Sequence, residues 1–429
     1  MKLARDLLLI AALATSAGAQ SIASRVNQAP DGVVRMEFES RPGTCGDGRD
    51  MIAYGNAMFA HNFQSVGRWH SDRCVAGSLR VSLMKTGGDV DRMDTQVGGA
   101  WPNATGRVTN LGVVDSREAS AYFFSLAPRL QGARGKDRSL LPAVLAADAD
   151  VLRPLLGVAR NEDLRLDTRR QAVHWLGIMG DATVVPALKE FARTDVDDDG
   201  DDKPGRNGLA TAAMAALSNV EDGAGVPALI ELAHEGSIGT RRNAVFWLRQ
   251  NGDPRAIRTL HEVIENSRES DRVREHAIFS LGQSSDVGDS ERAYLRGVYP
   301  RLGVEKLKET VFQGQTQDES DAAGKWLVGK ALDTREPLGI RKSALFWAGQ
   351  REATPTPELV RAYREADAEG LKEHAIFVLS QRNDEAATNA LLDIARDARE
   401  PEMRRKALFW LGQKHDPRVQ KLIADLILK

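Results

Sequence analysis

The chain has 429 residues, of which 28% are charged and 42% hydrophobic, and its formal net charge is −2. That balance carries neither the basic excess of a nucleic-acid binder nor the acidic excess of a disordered solvating chain. The length exceeds an ordinary single globular domain.

Residues 1–19 read as a signal peptide. Lys2 and Arg5 supply the positive start, Leu7 to Leu13 the apolar stretch, and Ala17-Gly18-Ala19 the small-x-small cleavage pattern. The mature chain then begins near Gln20, where no Cys stands to take a lipid anchor. No later apolar run is long enough to span a bilayer. The expectation is a periplasmic or secreted protein without membrane insertion; an uncleaved anchor is the other reading.

Residues 20–115 differ from the rest and predict a small β-rich domain. Gly32-Val-Val-Arg-Met-Glu-Phe-Glu39 alternates apolar and polar, the period of a half-buried strand. Arg41-Pro-Gly-Thr-Cys-Gly-Asp-Gly48 is turn-rich. Ser78-Leu-Arg-Val-Ser-Leu-Met84 predicts a second strand, and Thr86-Gly-Gly-Asp89 a hairpin turn, because Gly tolerates positive φ. Asp91 to Val97 returns as the partner strand and ends at Gly98-Gly99. The two cysteines, Cys45 and Cys74, pair as a disulfide if the chain is exported. Such a bond closes about 28 residues and adds roughly 3 kcal/mol. Two free thiols or a thiolate metal site are the alternatives. His61, Trp69 and His70 sit near the middle of this region and read as ordinary surface or packing residues.

Residues 116–164 predict capping helices. Ser116 offers an N-cap, and Tyr122, Phe123, Leu126 and Leu130 follow at helical spacing. Leu141, Leu145, Leu152 and Leu156 continue the pattern.

From 165 to 429 one helix recurs. Its cleanest copy is Ala407-Leu-Phe-Trp-Leu-Gly-Gln413. Further copies start at Ala172, Ala244, Ala277, Ala344 and Ala375, with weaker ones at Ala213 and Val311. These eight anchors lie 41, 31, 33, 34, 33, 31 and 32 residues apart. Self-similarity at such a period means a solenoid of about eight repeats. Each anchor helix is followed by a turn and a second amphipathic helix. In Gly252-Asp-Pro-Arg255 and His415-Asp-Pro-Arg418, Asp253 and Asp416 can N-cap the second helix with Pro254 and Pro417 at its first position.

Val273-Arg274-Glu-His-Ala277-Ile-Phe-Ser-Leu281-Gly282 resembles the V-R-x-x-A-x-x-A-L-G pattern of HEAT repeats, in particular the short bacterial type also seen in phycobilin-lyase subunits. The resemblance covers roughly residues 165–429. It implies a mainly α fold: a HEAT-like α-solenoid behind the small N-terminal β-rich domain. It also implies an interaction scaffold, since such repeats mostly bind other proteins. Lyase activity is not carried over, and the resemblance does not extend to residues 20–115.

At about 100° per residue, the anchor and positions +1, +4 and −4 share one helix face, which reads as core. Position +2 lies opposite and reads Phe246, Phe279, Phe346, Phe377 and Phe409 in five repeats. Position +6 reads Gln250, Gln283, Gln317, Gln350, Gln381 and Gln413. In HEAT arrays this face is concave, so a column of Phe beside a column of Gln is a candidate groove for a protein or extended peptide. Contiguous exposed apolar surface marks such sites, and Gln amides carry a donor and an acceptor for a peptide backbone. A structural ladder, with each Phe packed on the next repeat and each Gln capping its helix, is the competing reading. Trp175, Trp247, Trp347 and Trp410 at +3 read as inter-repeat packing. A basic column at −3 (Arg169, Arg241, Arg274, Lys308, Arg341, Lys372, Arg404) reads as charge pairs with acids of neighbouring turns, Asp271 and Glu402 being candidates. The weak copy at Val311 reads as a hinge.

The longest spacing holds Asp195, Asp197, Asp199, Gly200 and Asp201, the first half of a calcium loop. Arg206 stands where the bidentate Glu belongs, so a solvated acidic insertion is the other reading. Calcium is the one candidate cofactor. His234-Glu235 and His261-Glu262 start like a zinc-protease helix but lack the second His: Ile238 and Glu265 stand there. No P-loop or G-x-S-x-G occurs. The sequence thus predicts an exported, non-enzymatic scaffold. The alternatives are an enzyme-associated or maturation factor, with the repeats as a substrate platform, and a structural envelope component.

Overall fold

The computed structural model describes residues 20–49, 51–55, 57–60, 74–130, 140–193, 208–283, 289–414 and 418. The chain divides into two compact units, Met1–Ala187 and Leu188–Lys429.

The first unit opens with α1 (Ile22–Gln28), followed by β1 (Gly32–Phe38), β2 (Thr44–Gly46), β3 (Met51–Tyr54), β4 (Ala57–Ala60), β5 (Val75–Ala76), β6 (Leu79–Thr86), β7 (Asp89–Val97) and β8 (Val108–Val113). They form two four-stranded sheets, ordered β7-β6-β1-β8 and β4-β3-β2-β5. The period-2 pattern sets the register: Val34, Met36 and Phe38 of β1 lie opposite Leu83, Val81 and Leu79 of β6, and all six are fully buried. The β6–β7 hairpin turns on Gly87 and Gly88 at φ 61° and 89°, as the glycine pair predicts. Cys45 on β2 and Cys74 just before β5 form the disulfide, with Cα atoms 5.1 Å apart. This bond ties down a two-residue strand whose side chains are both exposed.

Among its described residues this unit also holds the helices α2 (Ser116–Leu126), α3 (Leu140–Leu145), α4 (Leu152–Arg160) and α5 (Leu166–Met179). Asp115, not Ser116, caps α2, its carboxylate accepting from the Glu118 amide at 2.9 Å. Phe123 of α2 packs on Phe38 with ring centroids 5.8 Å apart. The division between units falls inside α6 (Val185–Ala192), so the strand-rich region and α2–α5 pack together.

The second unit alternates anchor helices with second helices. In order they are α7 (Leu209–Asn219), α8 (Val226–His234), α9 (Ile238–Asn251), α10 (Pro254–Glu265), α11 (Asp271–Gly282), α12 (Asp289–Val298), α13 (Glu305–Gly314), α14 (Asp321–Leu332), α15 (Leu338–Gln350), α16 (Thr356–Glu365), α17 (Glu369–Gln381), α18 (Glu385–Asp397) and α19 (Pro401–Gln413). The odd-numbered helices carry the anchors and stack in one layer, each against the next. Ala213, Ala244, Ala277, Val311, Ala344, Ala375 and Ala407 are all buried, as are Leu217, Leu248, Leu281, Ala348, Leu379 and Leu411 at +4. Each such leucine contributes about 2 kcal/mol of burial. Asp253 caps α10 with Pro254 at its first position, as the sequence predicts; Asp416 and Pro417 lie outside the described residues. No helix among the described residues is long and apolar enough to cross a membrane.

Candidate protein-interaction face

The anchor helices have two sides. One is the core stripe just described. The opposite side carries position +2, and there Phe246, Phe279 and Phe409 are 38%, 39% and 59% exposed. Phe346 and Phe377 are half-buried. None of the five is packed away between repeats.

These rings form a surface strip with their aromatic neighbours. Phe246 lies 6.2 Å from His276 of the next anchor helix, which lies 6.5 Å from Phe279. Further along, His374 lies 5.7 Å from Phe377, and Phe377 lies 5.3 Å from Trp410 of the following repeat. Trp247, Trp347 and Trp410 are half-buried flanks, each edge-on to the Phe before it at 5.0, 5.2 and 5.1 Å. Burial holds the His374 imidazole below its ordinary pKa, and the Lys342 charge adds to this. His374 therefore presents a neutral ring at pH 7.

The glutamines divide. Gln250, Gln350, Gln381 and Gln413 occupy the last turns of α9, α15, α17 and α19 and are exposed. Gln283 is the C-cap of α11, half-buried, and its backbone N–H donates to the Phe279 carbonyl at 3.0 Å. Gln317 departs from the predicted helical column: α13 ends at Gly314, so Gln317 is exposed in the following turn. Among the described residues, the Gln250, Gln317 and Gln350 side chains have no hydrogen-bond partner, and Gln381 reaches only Ser380 Oγ at 3.1 Å. These amides are not used to cap their own helices.

The basic column is structural, and of the two acids the sequence singles out only Asp271 belongs to it. Arg241 pairs with Glu269 at 3.0 Å, Lys308 with Glu336 at 2.8 Å, Arg341 with Asp367 at 2.5 Å and Lys372 with Glu400 at 2.7 Å. Each acid lies in the turn before the next anchor helix. Asp271 does pair with Arg274 at 3.2 Å, but Glu402 pairs with Arg405 rather than Arg404. The same column caps helices: Nε of Arg274 and Arg341 donates to the carbonyls of Ile264 and Ala331, ten residues upstream, at 3.0 and 2.9 Å. In the first unit Arg169 does the same to Ala159 at 3.0 Å. These are the orphan carbonyls of the preceding helix ends.

A second cation ladder escaped the sequence reading. Arg351, Arg382 and Lys414 stand at +7 in the last three repeats and reach back to backbone carbonyls of the repeat before. Arg351 Nε donates to the Gln315 carbonyl at 3.1 Å, and its Nη2 to those of Ser320, at 3.0 Å, and Asp318. Arg382 Nη1 donates to the Arg351 carbonyl at 2.7 Å, and Lys414 Nζ to that of Arg382. The recurrence of a cation at +7 was the available signal.

This ladder changes the reading of the weak repeat as a hinge. Gln315, at the +4 position that is apolar elsewhere, is fully buried and accepts from Arg296 at 2.7 Å. Arg296 also pairs with Asp318 at 2.6 Å, whose side chain is fully buried. Burial pushes the Asp318 carboxyl up, but the Ser320 hydroxyl and amide and the Arg296 guanidinium outweigh it and hold the group below its ordinary pKa. The repeat least like the others is clasped from both sides.

Asp195, Asp197, Asp199 and Asp201 lie outside the described residues. Among the described residues no three His, Cys, Asp or Glu side chains gather as a metal site.

Residues 226–298 match the model of the HEAT repeats family. No curated protein matches the chain. Among solved structures, human deoxyhypusine hydroxylase in complex with glycerol is 20% identical over 58% of this chain and 91% of its own, with a TM-score of 0.26. The CpcE–CpcF complex of phycocyanin lyase from Nostoc sp. PCC7120 is 20% identical over 56% and 92%, at 0.28. Kap95p bound to RanGDP is 12% identical over 68% and 50%, at 0.34. None of these scores reaches 0.5; the fold rests on this chain's own paired helices and on the matched repeats.

Proposed function

We propose that this chain, a HEAT-repeat protein, is an exported, non-enzymatic scaffold that binds a protein or extended peptide along the Phe and Gln face of its anchor helices. The observation that carries the reading is the accessibility of Phe246, Phe279 and Phe409, with Phe346 and Phe377 half-buried between them. A purely architectural column calls for rings packed between repeats. Exposed aromatic side chains repeated at one position form the kind of patch that marks an interaction site.

The face is taken as the concave one because anchor helices approach one another closely. Gly282 of α11 meets the backbone of α13 at Gly314, and Gly349 of α15 gives room to Val378 of α17. Neighbouring helices lie about 8–10 Å apart, and an extended chain advances about 3.3 Å per residue. One repeat thus spans roughly three ligand residues, and the exposed Gln250, Gln350 and Gln381 amides are offered to the peptide backbone in their repeats.

The periplasmic or secreted location belongs to the same proposal and rests on residues 1–19 and the Cys45–Cys74 disulfide. Intact mass of the protein from its native envelope tests it: cleavage before Gln20 supports export, and a retained Met1 end contradicts it. Capture from an envelope extract tests the face. Phe346→Ala with Phe377→Ala should lose partners that the parent chain retains, with an unchanged helical circular-dichroism spectrum. Equal capture by both proteins would sink the reading.

A further inference from the structure

The aromatic strip is interrupted. Phe246 and Phe279 sit on α9 and α11, and Phe346, Phe377 and Phe409 on α15, α17 and α19. Between them α13 offers Gln313 at +2, half-buried, and Gly314 where Trp stands in four other repeats. The gap is structural. A side chain at Gly314 would face Gly282, whose own Cβ would collide with the Gly314 Cα atom. Aromatic bulk cannot be placed there without separating α11 from α13.

Charge follows the same division. On the face the acids Glu275 and Glu373 are paired with Lys306 and Lys406 of the next repeats at 3.5 and 3.7 Å, and Glu402 with Arg405. Among the described residues three charges on this side have no ion-pair partner. Arg272, exposed at −5 and about 220° from the anchor, lies on the first aromatic segment. Lys342, at −2 on α15, lies on the second beside His374. Glu309, at −2 on α13, lies in the gap. Each aromatic segment thus carries an uncompensated cation, and the gap an uncompensated acid.

We propose that the natural occupant is a two-part polypeptide segment: two apolar clusters, each bearing Asp or Glu, joined by a short polar linker bearing Lys or Arg. This rests on the face assigned above and names the partner's chemistry. The spacing is set by the gap. From α11 to α15 is two helix spacings, roughly 16–20 Å, which an extended chain crosses in about five or six residues. Joining two weak clusters by a linker of matched length raises affinity through effective concentration alone.

The test is selection of a displayed library of random 20-residue peptides on the full mature chain, repeated on Phe279→Ala/Phe377→Ala and on Arg272→Glu/Lys342→Glu. All four positions are exposed or half-buried, so the fold should tolerate both variants. The proposal expects enriched peptides with two apolar–acidic clusters about five or six residues apart. Synthetic versions should bind about tenfold tighter, or better, than either half. The Phe variant should not retain them, and the charge-reversed variant should select basic clusters instead. Enrichment that the Phe variant loses, but that is indifferent to spacing and charge, overturns this proposal and leaves the face in place. Enrichment that the Phe variant keeps, or none at all, overturns both.

Discussion

Gly282 and Gly314 meet backbone to backbone where α11 packs on α13. A Cβ on Gly282 has no room, because the Gly314 Cα atom already occupies its place. Gly282→Ala should therefore destabilise the second unit by about 1–3 kcal/mol, the usual cost of overpacking. Helix propensity alone predicts a gain of up to about 1 kcal/mol. Gly329→Ala is the control: Gly329 faces open space inside α14, so the propensity gain should appear undiminished. Urea unfolding of the two variants separates the effects.

Arg351 should matter far more than its neighbours on the surface. It is 2% exposed and donates to three backbone carbonyls and to Thr354 Oγ1. Hydrogen bonds to charged groups are each worth about 1.5–3 kcal/mol, and carbonyls left unpaired in the interior add their desolvation cost. Arg351→Met should cost about 3 kcal/mol or more. Arg335, exposed beside Asp333, should leave the unfolding midpoint unmoved when changed to Ala.

His374 predicts a pH dependence with a definite sign. Its folded pKa lies below the ordinary value because of burial, then Lys342. The unfolded chain therefore binds the proton first, at about pH 6.5. Stability from this group is fully present above that pH. It declines as pH falls toward the lower folded value, by at most about 1.4 kcal/mol per pH unit. His374→Gln should flatten this part of the profile in thermal melts between pH 7.5 and 5. A profile unchanged by the substitution would remove His374 as the cause.

Reduction should act on the first unit alone. Cys45 and Cys74 are 29 residues apart, and opening a loop of that length costs roughly 3–4 kcal/mol in the chain-entropy model. Hydrogen exchange with and without reductant should show loss of protection in β2, β3 and β5, and none in α9–α19.

The solenoid was legible because the anchor helix fixes its own phase. Ala277 and Leu281 face the core and Phe279 faces away, as 100° per residue requires. Where the helix stops early, the same arithmetic fails: Gln317 falls beyond α13. The Arg351, Arg382 and Lys414 ladder was hidden for a different reason. Its acceptors are backbone carbonyls, which every residue has, so no residue type marks them. The short strands β2 to β5 and the helix α1 were likewise missed. They owe their order to the disulfide and to packing rather than to a repeating apolar pattern. Lys85 illustrates this: it is buried, and its Nζ holds the end of α1 through the carbonyls of Val26, Asn27 and Ala29.

The most direct test of the central claim is photo-crosslinking in the cells that make the protein. A benzophenone side chain would replace Phe279, Phe377 or Phe409 in turn, with exposed Lys325 of α14 as the control position. Binding along the Phe face requires one shared adduct from the three Phe positions and none from Lys325. Adducts from Lys325 alone, with none from the Phe positions, would contradict it and move the binding surface to the second-helix layer.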